Sequence, residues 1–316
     1  MPQIVRALTS RLIGIIIVLF VLATVVFVIV RVTPGDPAAV MAGADATAKD
    51  IADLRARLGL DAPLWQQYVD FILGAMRGDL GQSIFLHMPV TAALAQRAEP
   101  TFFLTVFSIL IATVIALPVG IISAFKRGTL FDQVVVISTM VAASVPSFWL
   151  GLILIQTFAV KLGWFPVSGY GGPDTSFLDR IGHLVLPAFA LGIVNSALIT
   201  RFTRAAMLDV LGDDYIRTAR AKGAPERRVI LKHAFRNALI PIITVIGVTI
   251  ALLVSGTVVT ETVFGLPGIG NLIVSAVLRR DYPVIQGTLL VVAAIYVLIN
   301  FIIDMLYIVV DPRVRL

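Results

Sequence analysis

Six long stretches of this chain contain no Asp, Glu, Lys or Arg: residues 12–30, 100–125, 133–160, 181–200, 237–260 and 282–303. The shortest holds 19 residues and the longest 28, and charge bounds every one of them. Beyond Asp304 the sixth resumes its apolar character through Val310. A helix needs about 20 apolar residues to cross roughly 30 Å of hydrocarbon, and inside that layer the backbone must satisfy its own hydrogen bonds. The pattern predicts an all-α membrane protein with six transmembrane helices. Composition agrees: 58% of residues are apolar and 14% charged, against about 45–50% and about 25% in soluble domains. A cytosolic globule of this composition would expose large apolar patches. That excludes a cytosolic globule, a disordered chain and a collagen-like fibre.

Arg6 and Arg11 give the first stretch the basic start of a signal peptide. Its apolar part is too long for one and no small-residue cleavage pattern follows, so it is expected to remain as a helix. Orientation follows from Lys and Arg placement. With both termini cytoplasmic, the inner segments 1–11, 125–132, 201–239 and 312–316 carry 15 Lys and Arg among 63 residues. The outer segments 31–99, 161–181 and 261–283 carry 10 among 113. The asymmetry predicts cytoplasmic termini and explains the net charge of +6 without nucleic acid. Trp and Tyr lie mainly outside or near span ends, where interfacial aromatics belong, and not on a basic face. On this reading the chain divides into 1–98 (first span and a structured extracytoplasmic loop), a five-helix core 99–311, and a tail 312–316.

The first outer loop is expected to hold two helices. Thr47 to Asp50 forms a capping-box-like start, Ile51, Leu54 and Leu58 share a face, and Gly59 is a natural stop. After Pro63, the residues Leu64, Trp65, Tyr68, Phe71, Ile72 and Ala75 form a second apolar face. These helices lie on the membrane surface, cover the outer mouth, or pack on a core of their own. Between the last two spans, Gly265, Pro267, Gly268 and Gly270 interrupt an uncharged segment too short to cross. It reads as a plain surface turn or as a turn with a shallow re-entrant helix.

Reaction chemistry is thin. There is no Gly-rich phosphate loop, no Cys, and only His87, His183 and His233, far apart in sequence. Neither an ATP site, a metal site nor a catalytic triad is expected. Asp304 is the one acid well inside an apolar stretch, and Asn300 precedes it by one helical turn. The pair is expected to act as a helix anchor or a gate near the cytoplasmic mouth. Gln156, Asn195 and Ser196 are further polar points, for the pathway or for interhelical hydrogen bonds. Pro118 and Pro146 are expected to kink their spans. So little buried charge offers little coupling to an ion gradient. The energy comes from another chain, or this is a stand-alone channel or secondary carrier.

The inner loop 201–239 carries nine basic and four acidic residues. Asp213 and Asp214 suit a helix start, and Tyr215–Lys222 gives two turns. Lys222 suits the helix end and Gly223 a left-handed cap. Pro225 then fits the first turn of a second helix, beside Glu226, running to about Asn237 and into the span beginning near Ala238. The expectation is a helix, a glycine elbow and a second helix. It either passes force from a soluble partner to two spans or is simply a solvated basic loop.

The stretch Asp214-Tyr-Ile-Arg-Thr-Ala-Arg-Ala-Lys-Gly-Ala-Pro-Glu-Arg-Arg-Val229, continued to Pro241, resembles the cytoplasmic signature loop of bacterial ABC-importer permeases. More narrowly, it is similar to the B-type inner-membrane subunit of the dipeptide/oligopeptide/nickel family. Further resemblances run along the chain: Pro34-Gly-Asp-Pro37, Leu58-Gly-Leu-Asp61, Gly78-Asp-Leu-Gly81, Val263-Phe-Gly-Leu-Pro-Gly-Ile-Gly270, Arg280-Asp-Tyr-Pro283 and Asp311-Pro-Arg313. The resemblance implies a type I importer permease in the bacterial inner membrane. It implies a second, different permease subunit, two cytoplasmic ATPase subunits that bind ATP and Mg, and an extracytoplasmic binding protein. No cofactor is implied in this chain. The solutes implied are dipeptides, longer peptides, glutathione-like compounds or nickel chelates. In that family the loop docks on the ATPase. Ala219 and Gly223 hold the signature positions here, flanked by Tyr215, Lys222, Ala224 and Pro225. Arg217 stands at the usually acidic first position, and Phe235–Arg236 replaces a Leu-Pro pair.

Overall fold

A computed structural model describes residues 2–32, 35–43, 46–57, 59–172 and 174–310. In chain order the helices are α1 (Pro2–Val32), α2 (Pro37–Ala42), α3 (Ala48–Arg57), α4 (Leu64–Met76), α5 (Val90–Phe125) and α6 (Leu130–Ser144). Then come α7 (Ser147–Leu154, continuing as a π-helix Ile155–Lys161), α8 (Phe177–Leu211), α9 (Asp214–Ala221) and α10 (Glu226–Arg228). A π-helical Val229–Ala234 leads into α11 (Phe235–Val263), followed by α12 (Ile269–Arg279) and α13 (Tyr282–Val310). Pro34, Leu58 and Asp311–Arg313 of the motifs, and the tail 312–316, lie outside the described residues.

Five helical runs are long and apolar enough to cross a membrane: Ile13–Val32, Val90–Phe125, Phe177–Leu211, Glu226–Val254 and Tyr282–Tyr307. The expected third span is not straight. α6 and the α7 run meet at 93° and make a sixth span only as a bent pair. Pro146 causes the corner. It lacks an N–H, it sits extended at φ −64° and ψ 133°, and it drives Val145 out of the helical region to ψ 123°. At Pro118 α5 continues as one helix without a break.

The chain forms two compact units, Met1–Thr101 with Pro267–Leu298 and Phe102–Leu266 with Ile299–Leu316. In the first, α4 packs on α1. The Tyr68 and Thr24 hydroxyls lie 2.8 Å apart, and Phe27 meets the rings of Tyr68 and Phe71 at 5.3 and 6.1 Å. Leu64 and Trp65 of the expected apolar face are exposed. α3 starts as expected: Asp50 N–H donates to Thr47 Oγ1 at 3.3 Å, and Thr47 N–H donates to Asp50 Oδ2 at 3.0 Å. The Thr47 hydroxyl, which donates to Asp50 Oδ2 at 2.6 Å, and then the Thr47 N–H hold the Asp50 carboxyl below its ordinary range.

The best-fastened point of this unit is Asp281, which is 2% exposed. It accepts from Ser83 Oγ at 2.6 Å, from Ile84 and Phe85 N–H at 3.3 and 3.2 Å, and from Val284 N–H at 3.4 Å. One carboxylate thus caps α13 and pins the loop 82–89. Ahead of it, residues 264–268 turn and α12 follows, with Ile269, Leu272 and Ala276 buried. The segment between the last spans is therefore a turn plus a short helix. Ile269 N–H donates to Thr101 Oγ1 at 2.9 Å and fixes its start.

The second unit is held by close approaches over small residues. A side chain at Gly120 would meet Thr203 Cβ at 2.8 Å, and one at Gly192 would meet Ile111 Cγ2 at 2.7 Å, so α5 and α8 touch backbone to side chain. Gly151 of α7 receives the Phe264 ring. Gly247 of α11 receives Ile303 of α13, and Tyr307 Oη donates to Thr244 Oγ1 at 2.8 Å beside it.

Candidate functional site

The elbow forms where the capping residues require it. Asp213 starts α9 in extended backbone, and Asp214 lies in its first turn. At the other end Lys222 caps the helix and Gly223 takes φ +79°. Gly223 N–H donates to Arg220 O at 2.9 Å, and Ala224 N–H donates to Ala219 O at 3.2 Å. This is the paired bonding of a glycine-closed helix end, which satisfies carbonyls that would otherwise be orphaned. Only glycine takes that φ without strain, whereas alanine suits 219 and 224 because both pack partly against the core beneath. Pro225 then stands just before the second helix, as its cap and not within its first turn, and its carbonyl accepts from Arg228 and Val229 N–H at 2.8 and 3.1 Å.

The second helix also differs from expectation in its path. Between α10 and α11 it widens into a π turn over Val229–Ala234. Both of those residues are fully buried. The wider turn brings positions five apart onto one side, which α geometry would separate. With them, Ile216, Met207, Ala238 and Ile242 form a core joined by Ala124 of α5 and Ala206 of α8. The inner face of the elbow is therefore seated on three long helices. Its outer face is exposed and basic: Arg217, Lys222, Arg227, Arg228 and Lys232 all face away from that core. Arg220 Nε donates to Glu226 Oε1 at 2.8 Å across the bend, and Asn237 Nδ2 donates to Tyr215 Oη at 2.6 Å.

Sequence reasoning missed the clamp beside this core. Asp132, 4% exposed, accepts from Arg204 Nε and Nη2 at 2.6 and 2.8 Å, from Ser123 Oγ at 2.6 Å and from Gly128 N–H at 3.0 Å. It ties the start of α6 to α8 and to the end of α5. Ser123 adjoins Ala124 of the elbow core, and Arg204 lies two residues before Ala206.

The other expected residues scatter. Gln156 is exposed on the π-helical end of the α7 run. Asn195 and Ser196 bond within α8: Nδ2 to Leu191 O at 2.8 Å and Oγ to Ile193 O at 2.7 Å. Asn300 and Asp304 are half-buried one turn apart on α13. Gly265 turns at φ +60°, its N–H bonded to Thr262 O at 3.3 Å, while Pro267 and Gly268 lead into α12, which contains Gly270. α11 also carries a fully buried polar stripe of Thr257, Thr260 and Glu261 that was not foreseen.

Apolar spans around small-residue contacts, with a rigid basic elbow seated on three of them, define a multi-pass membrane transport subunit. The family model described as binding-protein-dependent transport system inner membrane component matches residues 116–316, and the model for the N-terminal part of such membrane components matches residues 4–97. The chain is 42% identical over 330 residues to the dipeptide transport system permease protein DppB of Escherichia coli K12, covering 96% of this chain and 97% of that one. It is 42% identical over 306 residues to the glutathione transport system permease protein GsiC of the same strain, covering 97% of each. Among solved structures, an inward-facing MetNI methionine ABC transporter chain matches with a TM-score of 0.57 at 22% identity, over 69% of this chain and 96% of that one. The chain belongs to the binding-protein-dependent inner-membrane components, the permease subunits of ABC importers, in the peptide-transporter family. It is a multi-pass inner-membrane protein.

Proposed function

We propose that this chain forms half of the translocation pathway of an ATP-driven importer for short peptides or related small polar solutes, and that the elbow 213–237 is where separate ATPase subunits act on it. Its partners are a second permease, two cytoplasmic ATPases that bind ATP and Mg, and an extracytoplasmic binding protein. Both termini lie in the cytoplasm. The solute class rests on relatives named for dipeptides and glutathione.

One observation carries the reading. The elbow is stiff at its bend and buried on its inner face, yet free and basic on its outer face. A solvated loop that only set topology would need none of this. Force on α9 passes through Ile216 into Met207 of α8 and Ala238 of α11, so closure of the ATPases tilts α5, α8 and α11 together. Tyr215, Ala219, Lys222, Gly223, Ala224 and Pro225 are the coupling residues in this account. Asn300 and Asp304 stand near the end of α13, where Ile303 and Tyr307 seat on α11, and they act as a gate on that joint. Gln156, Asn195 and Ser196 line the pathway.

The test replaces Gly223 with Leu in the assembled transporter. Space is open around position 223, so the perturbation is backbone strain, about 1–2 kcal/mol. Insertion and ATP hydrolysis persist while solute uptake falls. Uptake that stays coupled to hydrolysis contradicts the reading, and uptake by this chain alone supports a stand-alone carrier.

A further inference from the structure

Two arginines near α12 have no part in the coupling argument. Arg97 of α5 and Arg279 of α12 line a cavity of about 110 Å³ with Phe85, Leu86 and Ser275. Arg97 is half-buried, and among the described residues it has no ion-pair or hydrogen-bond partner. Arg279 lies over the Phe85 ring, its guanidinium carbon 5.8 Å from the centroid, a contact that leaves its N–H donors free. The one acid in the lining, Asp281, already accepts from Ser83, Ile84, Phe85 and Val284. A carboxylate offers about four lone-pair sites, so none remains for the arginines. The cavity thus presents two permanent cations and a hydroxyl against the single charge of Asp281, whose oxygens are already taken by neutral donors. Its walls are set in advance: Ser83 N–H donates to Met88 O and Leu86 N–H to Ser83 Oγ, each at 2.9 Å.

We propose that Arg97 and Arg279 form a carboxylate-binding site whose occupant is an acidic side chain of the solute-delivering binding protein. This rests on the proposed function for the partner and for the side of the membrane that it reaches. The chemistry selects a lone carboxylate. A short zwitterionic peptide would bring its ammonium close to two arginines with no unspent acid to receive it. An Asp or Glu side chain carries no such group. Arginine in a preformed, partly apolar recess is also the usual anchor of a protein interface.

The experiment uses the complete transporter in proteoliposomes and measures the binding-protein concentration that half-maximally stimulates ATP hydrolysis. Arg97→Gln and Arg279→Gln each raise that concentration about tenfold and flatten its dependence on salt, and Arg97→Lys keeps most of the affinity. The solute KM at saturating binding protein stays unchanged. A double variant that inserts normally with unaltered half-saturation overturns the proposal, as does a shift confined to the solute KM. Should the Gln variants fail to insert, the unmodified transporter decides: half-saturation insensitive to KCl overturns the site. Failure of the binding protein to stimulate the unmodified transporter at all strikes instead at the functional reading.

Discussion

Replacing Asp132 by Asn keeps the shape of the clamp beside the elbow and removes its charge. All four groups around that carboxylate donate to it: Ser123 Oγ, Gly128 N–H, and Nε and Nη2 of Arg204. An amide presents one acceptor and one NH₂. Turned toward Gly128, its NH₂ meets two donors that cannot reverse. Turned toward Ser123, the hydroxyl can rotate to accept, but Arg204 Nε is still left facing a donor. At least one charge-assisted bond and the ion pair are lost. Breaking a buried pair costs about 3–5 kcal/mol, and because the Arg204 side chain is a quarter exposed and keeps some water, the lower end, about 3 kcal/mol, applies. The assay is unfolding of the purified permease in lipid nanodiscs for Asp132→Asn, Arg204→Gln and the double variant. The double variant is expected to lose about 2 kcal/mol less than the sum of the singles. Additivity within about 0.5 kcal/mol would refute the clamp.

Other consequences follow from the same contacts. Gly192→Ala places a Cβ 2.7 Å from Ile111 Cγ2 and 3.1 Å from Ser108 O, so α5 and α8 must separate, at about 1–3 kcal/mol in the same unfolding assay. Ser83→Ala takes a donor from Asp281 and an acceptor from Leu86 N–H. It costs about 1–3 kcal/mol and exposes the loop 82–89 to limited proteolysis. The Asp50 carboxyl is held below its ordinary range in the folded chain. Its capping contribution is therefore complete above that range and is lost as pH falls through the lowered value. The protection factor of Thr47 N–H, which donates to that carboxyl, should fall on acidification, and the Asp50→Asn variant should show a weaker change.

The spans were legible because hydrocarbon imposes one rule on every residue that enters it, and charge marks where the rule stops. The elbow was legible because its determinants are local: Gly223 closes one helix and Pro225 opens the next within three residues. Local signals also gave the start of α3. They understated Pro146, where a proline following an extended Val145 turns a kink into a 93° corner. They gave no warning of the π turn at Val229–Ala234, which arises because two residues five apart must both be buried. The long-range carboxylate nodes were beyond reach. Asp132 meets Arg204 across 72 positions, and Asp281 meets Ser83 across 198. In the sequence Arg204 is one basic residue among nine and Asp132 merely a span boundary. Only the packed helices bring their charges together.

The chain contains no cysteine, so a single Cys introduced on the exposed face of the elbow reports without background. Arg217→Cys or Lys222→Cys in the assembled transporter, treated with a short bifunctional thiol reagent against single-Cys ATPase subunits, should give a crosslink whose yield changes when ATP binds. Labelling of that cysteine by an impermeant reagent added to intact cells from outside, or a crosslink to no ATPase in either nucleotide state, would contradict the account.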